Sequence, residues 1–258
     1  MPKEQKDLAR ELDQWYEKAC TSAFIADDPV QFPRRYKKRE DIEIAAFLSA
    51  TIAWGRRDMI LRSAEKMFTL MKPSPHAFVM SGDYKKLKNA NIHRTFFEND
   101  LKYYCCGLER CYAKYGSLEK LFSSTPGVWE GIALFREEMA KANKNEYSRH
   151  ISDPGDVDKN GSACKKFNLA LRWLVREGPV DLHLWKSIKP AALFIPLDVH
   201  VARTARRLKF LQRKSNDKKA VIELTEKLRE FCPQDPVKYD FALFEIGLEN
   251  SSRKVTKT

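Results

Sequence analysis

Apolar residues recur along nearly the whole chain at the spacing of a helix, and no stretch of useful length alternates with the period of two that a strand requires. Leu8, Leu12, Trp15 and Ala19 give one apolar face to a helix over residues 4–20. Asp27-Asp28-Pro29-Val30-Gln31-Phe32-Pro33 is a loop by its prolines, and the cations Arg34, Arg35, Lys37, Lys38 and Arg39 follow it. Asp41 is expected to cap one long helix, E-I-A-A-F-L-S-A-T-I-A-W-G-R-R-D-M-I-L-R-S-A-E-K-M-F. It is apolar almost all round through Trp54 and so belongs at the centre of its domain. Residues 73–116 are helical but less regular, with Phe96, Phe97, Leu101, Tyr104, Cys105 and Leu108 as an apolar stripe. Helices at 117–123 and 127–142 precede a connector over 143–161 that carries Pro154, Gly155 and Gly161.

The next helix is set by Ala163, Phe167, Ala170, Leu171 and Leu174, with Gly161 as its entry turn and Ser162 as its N-cap. Lys165 and Lys166 therefore lie in its first turn, where cations oppose the helix dipole at about 0.3–1 kcal/mol each. After Ile195-Pro196-Leu197, Asp198 stands at the start of a basic helix over 199–210. An amphipathic segment over 217–231 and a last helix from Pro236 complete the pattern, and 251–258 is expected to be a disordered basic tail. The fold class is all-α. Length alone allows one large or two small helical domains, and 43% hydrophobic residues suffice for a substantial core.

A formal net charge of +12 points to a polyanionic partner. Cys20, Cys105, Cys106, Cys111, Cys164 and Cys232 show no C-x-x-C spacing and no secretory leader precedes them, so reduced thiols in a cytoplasmic protein are expected. No metal and no cofactor is expected, and no apolar run reaches membrane-spanning length. The candidate chemistry sits in three places. A lysine sharing a cleft with a second lysine and apolar neighbours has its pKa pushed down, which leaves the neutral amine as a nucleophile. Asp198 supplies a carboxylate, or serves only as a cap beside two solvated lysines. Asp240, inside an otherwise apolar helix, needs a partner: a ligand, or Arg203 or Arg206 as a structural tie.

P-L-D-V-H-V-A-R followed by a short basic helix resembles the segment carrying the catalytic aspartate of the helix-hairpin-helix DNA glycosylases, the endonuclease III superfamily. The helix-opening lysine is similar to their Schiff-base lysine. The separation of Lys166 from Asp198 is closest to the archaeal 8-oxoguanine glycosylase branch. Over nearly its whole length the chain also resembles the bacterial DUF2400 family, through S-A-C-K-K-F-N-L-A-L-R-W and D-P-V-K-Y-D-F-A-L-F, a likeness that names no activity.

The glycosylase resemblance implies two helical lobes with a cleft between them. Residues 1–45 and 195–250 form a discontinuous lobe, and 46–194 form a central lobe with a divergent hairpin at Asp158-Lys159-Asn160-Gly161. It implies a base-excision DNA glycosylase, with or without abasic-site lyase activity, acting on a flipped, damaged base such as an oxidised purine. Lys166 is then the amine, with Lys165 as the other choice, and Asp198 is the catalytic carboxylate. Gln31, Asp240, Phe244 and Trp54 would bind the base, and Arg56, Arg57, His200, Arg203 and Lys159 would bind DNA. The family's glycine-rich hairpin sequence is absent, as is the iron-sulfur cysteine loop of many relatives. A non-catalytic nucleic-acid-binding protein of the same fold is the alternative.

Overall fold

Eleven α-helices, six short 3-10 helices and one small hairpin are found among the residues that the computed structural model describes, 3–156 and 160–255. Helix α1 (Lys3–Ala19) leads through short 3-10 turns to α2 (Arg39–Ile52), whose residues from Ile44 to Ile52 are all buried. This central helix packs on α8 (Lys165–Val175), with Phe47 edge-on to Phe167. On one side, α5 (Glu98–Tyr115) and α6 (Leu118–Ser123) pack on α7 (Val128–Ala142). On the other, α11 (Tyr239–Val255) lies between α1 and α9 (Val199–Arg207), with α10 (Lys218–Arg229) nearby. One continuous hydrophobic cluster joins both sides, from Leu12 on α1 to Ile246 on α11.

The single long helix expected after Asp41 is two helices. α2 ends at Ile52, and α3 (Arg57–Leu70) starts after a turn in which Gly55 has φ +103°. A side chain there is strained by that φ, and a Cβ would also displace the end of the Arg94 side chain, whose guanidinium nitrogen would stand 2.7 Å away. Apolar residues recur at helical spacing on both sides of the turn, so the hydrophobic pattern runs across the break without registering it. Asp41 is no cap of its own helix. Its carboxylate takes the Ser74 hydroxyl at 2.6 Å and the His76 N–H at 2.8 Å, at the start of α4 (Pro75–Met80). Glu43, fully buried on α2, likewise accepts the Leu118 N–H at the start of α6, together with the Trp185 indole N–H and the Tyr112 hydroxyl.

Residues 91–97 are a two-stranded hairpin, β1 (Asn91–His93) and β2 (Phe96–Phe97), where a less regular helix was expected. Strands of three and two residues are too short to show a period. The N-cap of α8 is Cys164 in the left-handed region rather than Ser162. Ser162 is held in a bridge to Asp217, and its hydroxyl accepts the Cys164 N–H at 3.3 Å. Gly161 permits a close chain crossing, since a Cβ would meet the Pro154 carbonyl at 2.0 Å. Helix α11 continues through Val255, five residues into the expected tail.

Candidate active site

Two helix N-termini converge on a cavity of about 570 Å³. Lys165 is the first residue of α8, and Leu169 and Arg172 follow at i+4 and i+7, so all three present one helical face to that cavity. Asp198 opens α9. Its Oδ1 accepts the N–H groups of His200 at 2.8 Å and Val201 at 2.9 Å, the geometry of an N-cap. Its Oδ2 lies 3.5 Å from Lys165 Nζ. Lys165 also donates to the Ala53 carbonyl at 3.3 Å, where α2 has just ended. The amine is thereby fixed between a carboxylate and a backbone oxygen.

Apolar walls come from Phe24, Trp54, Leu169, Pro196, Phe241 and Phe244. Arg57, Val199 and His200 line the cavity and are exposed, so they mark its mouth. Arg172 and Asp240 line it and are buried, so they mark its inner end. There Arg172 is paired with Asp240 and lies 3.3 Å from Asp181, with its guanidinium 4.1 Å above the Phe241 ring. Arg176, one turn on, holds Asp181 and Asp235 and donates to the Tyr16 hydroxyl at 3.1 Å. Burial pushes the Asp240 carboxyl up to about 6, against the pull of Arg172, with the Asp198 carboxylate adding to the rise. Burial also raises the Asp28 carboxyl, against the Val30 N–H, Arg172 and Arg57.

The expected residues divide into those the cavity gathers and those it does not. Lys165, Asp198, Asp240, Phe244, Trp54, Arg57 and His200 all line it. Lys166 points elsewhere: its Nζ lies 3.5 Å from the His150 carbonyl, and burial, followed by the Lys165 charge, lowers it to about 8 against the pull of Asp100. Gln31 is turned to the Ala26 carbonyl at 2.7 Å and accepts from Arg35, so that loop presents Asp28 and Pro29 to the cavity instead. Asp240 is tied to Arg172, not to Arg203 or Arg206. Arg203 is exposed on α9, and Arg206 donates to the carbonyls of Arg213 at 2.9 Å and Lys214 at 2.8 Å. Arg56 is exposed and bonded to Asp58. Lys159 lies outside the described residues.

In the basic run after Pro33 the arginines are largely engaged. Arg34 donates to the carbonyls of Pro179, Val180 and Asp181, Arg35 pairs with Glu65, and Arg39 pairs with Glu119. Trp54 stands edge-on to His93 at 5.2 Å with Arg94 4.7 Å over its ring, and its buried indole N–H has no partner among the described residues. Arg172 and Asp28 were missed by the sequence reading. Arg172 interrupts an apolar helix in the way Asp240 does, so the same anomaly was available as a signal. Asp28 gave none beyond its place before a proline.

Among the described residues no three of His, Cys, Asp and Glu converge to hold a metal ion, and no helix is long and apolar enough to cross a membrane. The family described as Protein of unknown function (DUF2400) matches residues 28–249, and the chain belongs to that family. No curated protein and no solved structure matches the chain.

Proposed function

We propose that this DUF2400 protein is a DNA glycosylase with abasic-site lyase activity, built on a two-lobed helix-hairpin-helix-like fold, and that the cavity receives a base turned out of the stack. The observation that carries the reading is Lys165 Nζ held 3.5 Å from Asp198 Oδ2 in the wall of a largely apolar cavity. Lys165 takes the nucleophile's role in preference to Lys166, because it lines the cavity and Lys166 does not. Extrusion of a base costs a few kcal/mol, which contacts in a fitted pocket offset. Phe244, Phe241 and Trp54 supply apolar and aromatic walls for it.

In the chemical step Asp198 takes a proton from the Lys165 ammonium, and the free amine attacks C1′ as the C1′–N bond to the base breaks. The base leaves with its bonding electron pair and gains a proton. That proton is the one Asp198 took from Lys165, and the carboxylate so restored faces the positive charge that develops on the sugar and the attached nitrogen. Loss of a proton from the attached nitrogen and opening of the C1′–O4′ bond, with O4′ protonated, leave an iminium between Lys165 and C1′. Arg57 and His200 at the mouth, Arg203 on α9 and the net charge of +12 suit the phosphates on either side.

Borohydride trapping on duplexes carrying an abasic site or a set of damaged bases tests the reading. A covalent complex that requires Lys165 is expected. The Lys165–Asp198 pair also ties α8 to α9, which favours a second reading as a non-catalytic nucleic-acid-binding protein. DNA binding without any trapped complex would establish that one.

A further inference from the structure

The loop between α1 and α2 places Asp28 in the cavity wall with one carboxylate oxygen committed and one uncommitted. Oδ1 accepts the Val30 N–H at 2.9 Å, capping the 3-10 turn Pro29–Gln31. Oδ2 takes no hydrogen bond among the described residues, although Asp28 is partly buried and lines the cavity. The surrounding charges make this carboxyl one too many. Arg172, the buried cation of the inner end, is already in contact with Asp240 and Asp181, and Asp181 also holds Arg176. Arg57, the other cation whose charge acts on it, is exposed at the mouth and lies 5.7 Å over the Phe24 ring. Burial of a carboxyl without a cation of its own raises its pKa and so favours the protonated form.

We propose that Asp28 is the specificity-determining residue of the cavity and pairs with a nucleobase edge that sets one hydrogen-bond donor beside one acceptor. The inference rests on the glycosylase reading and adds the class of base to it. A protonated carboxyl presents a donor, Oδ2–H, next to an acceptor, Oδ1, which retains a lone pair after accepting from Val30. Its complement is a lactam edge, N–H beside C=O, or an amidine edge. An ionised carboxylate presents two acceptors and pairs with an edge of two donors, as on guanine at N1 and N2. The two states of Asp28 therefore select different bases.

The test compares two reactions of the full chain: base release from duplexes carrying hypoxanthine, uracil, adenine or guanine-type lesions, and borohydride trapping on a preformed abasic site, which has no base to read. Asp28→Ala is expected to lower base release relative to trapping by about ten- to a hundredfold, the effect of leaving a buried polar edge unpaired. Asp28→Asn presents the same donor beside the same acceptor and keeps the cap on Val30, so it recovers most of that ratio. Should the alanine variant not fold, Asp28→Ser, which retains a capping oxygen, takes its place.

Equal loss of both reactions in a folded variant, a loss in Asp28→Asn as large as in Asp28→Ala, or preference for a two-donor guanine edge overturns the assignment of Asp28. Failure of the unmodified chain to form any trapped complex overturns the glycosylase reading itself, a result distinct from the other three.

Discussion

Asp198 divides its two carboxylate oxygens between two helices: Oδ1 caps α9 through the N–H groups of His200 and Val201, and Oδ2 lies 3.5 Å from Lys165 Nζ at the start of α8. The cap and the ion pair can therefore be separated by substitution. Asp198→Asn keeps an acceptor for the cap and loses the carboxylate charge. It is expected to fold with little loss of stability while borohydride trapping falls by orders of magnitude. Asp198→Ala removes both functions and costs a further ~1 kcal/mol of stability. Melting temperatures and trapping rates for the pair of variants check this, and trapping at full rate by Asp198→Asn would remove the carboxylate from the mechanism.

The adjacent lysines are expected to separate cleanly. Lys165→Gln abolishes the trapped complex on abasic-site DNA and leaves binding of that DNA nearly unchanged. Lys166→Gln retains trapping, because its amine lies behind the cavity against the His150 carbonyl. Gel analysis of the reduced complexes decides between them, and the opposite result would return the amine's role to Lys166.

Burial holds the Lys166 amine at about 8, well below its ordinary 10.5, so its positive charge is a cost to the folded state near neutrality. Lys166→Met is expected to raise stability at pH 7 by about 1–3 kcal/mol. The folded protein binds fewer protons than the unfolded chain between the two values. The unmodified protein therefore gains stability as pH rises from about 8 towards 10.5, and the advantage of Lys166→Met closes over that window. Denaturant titrations at pH 7, 9 and 10.5 measure it. A constant difference across the three would place the amine in water.

How DNA affinity depends on salt should distinguish cations at the mouth from those used in the fold. Arg57→Ala and Arg203→Ala are each expected to reduce the slope of log affinity against log salt by about 1. Arg34→Ala leaves the slope unchanged and lowers stability by about 1–3 kcal/mol, since its guanidinium serves three backbone carbonyls. Binding curves at several salt concentrations, with melting temperatures, separate the two effects.

Most helices were legible because each buries one face, and that periodicity survives in the sequence. The break at Ala53–Arg56 was not, since it joins two apolar faces and depends on a single glycine with φ +103°. Asp198 could be placed from its cap position alone. Choosing between Lys165 and Lys166 needed the phase of α8: neighbours on a helix point about 100° apart, and the buried stripe of Phe167, Leu171 and Leu174 leaves either one free to face a cleft. The partner of Asp240 was misread because charge partners were sought on the basic helix α9, whereas the cation comes from the cavity-facing side of α8. Gln31 and Asp28 lie three residues apart in one loop, and only the turn capped by Asp28 decides which of them reaches the cavity.

Helix α1 lies wholly before residue 28, where the family match begins, yet it clasps the helix that ends the match. Tyr16 stands edge-on to Phe241 and receives the Arg176 N–H, Asp13 takes the Tyr239 hydroxyl at 3.0 Å, and Leu12 is fully buried. A fragment trimmed to the shared segment would thus shed the brace behind the wall that carries Asp240 and Phe244. The segment matched to the family is shorter than the packed unit, and expression boundaries drawn at the former would cut into the latter.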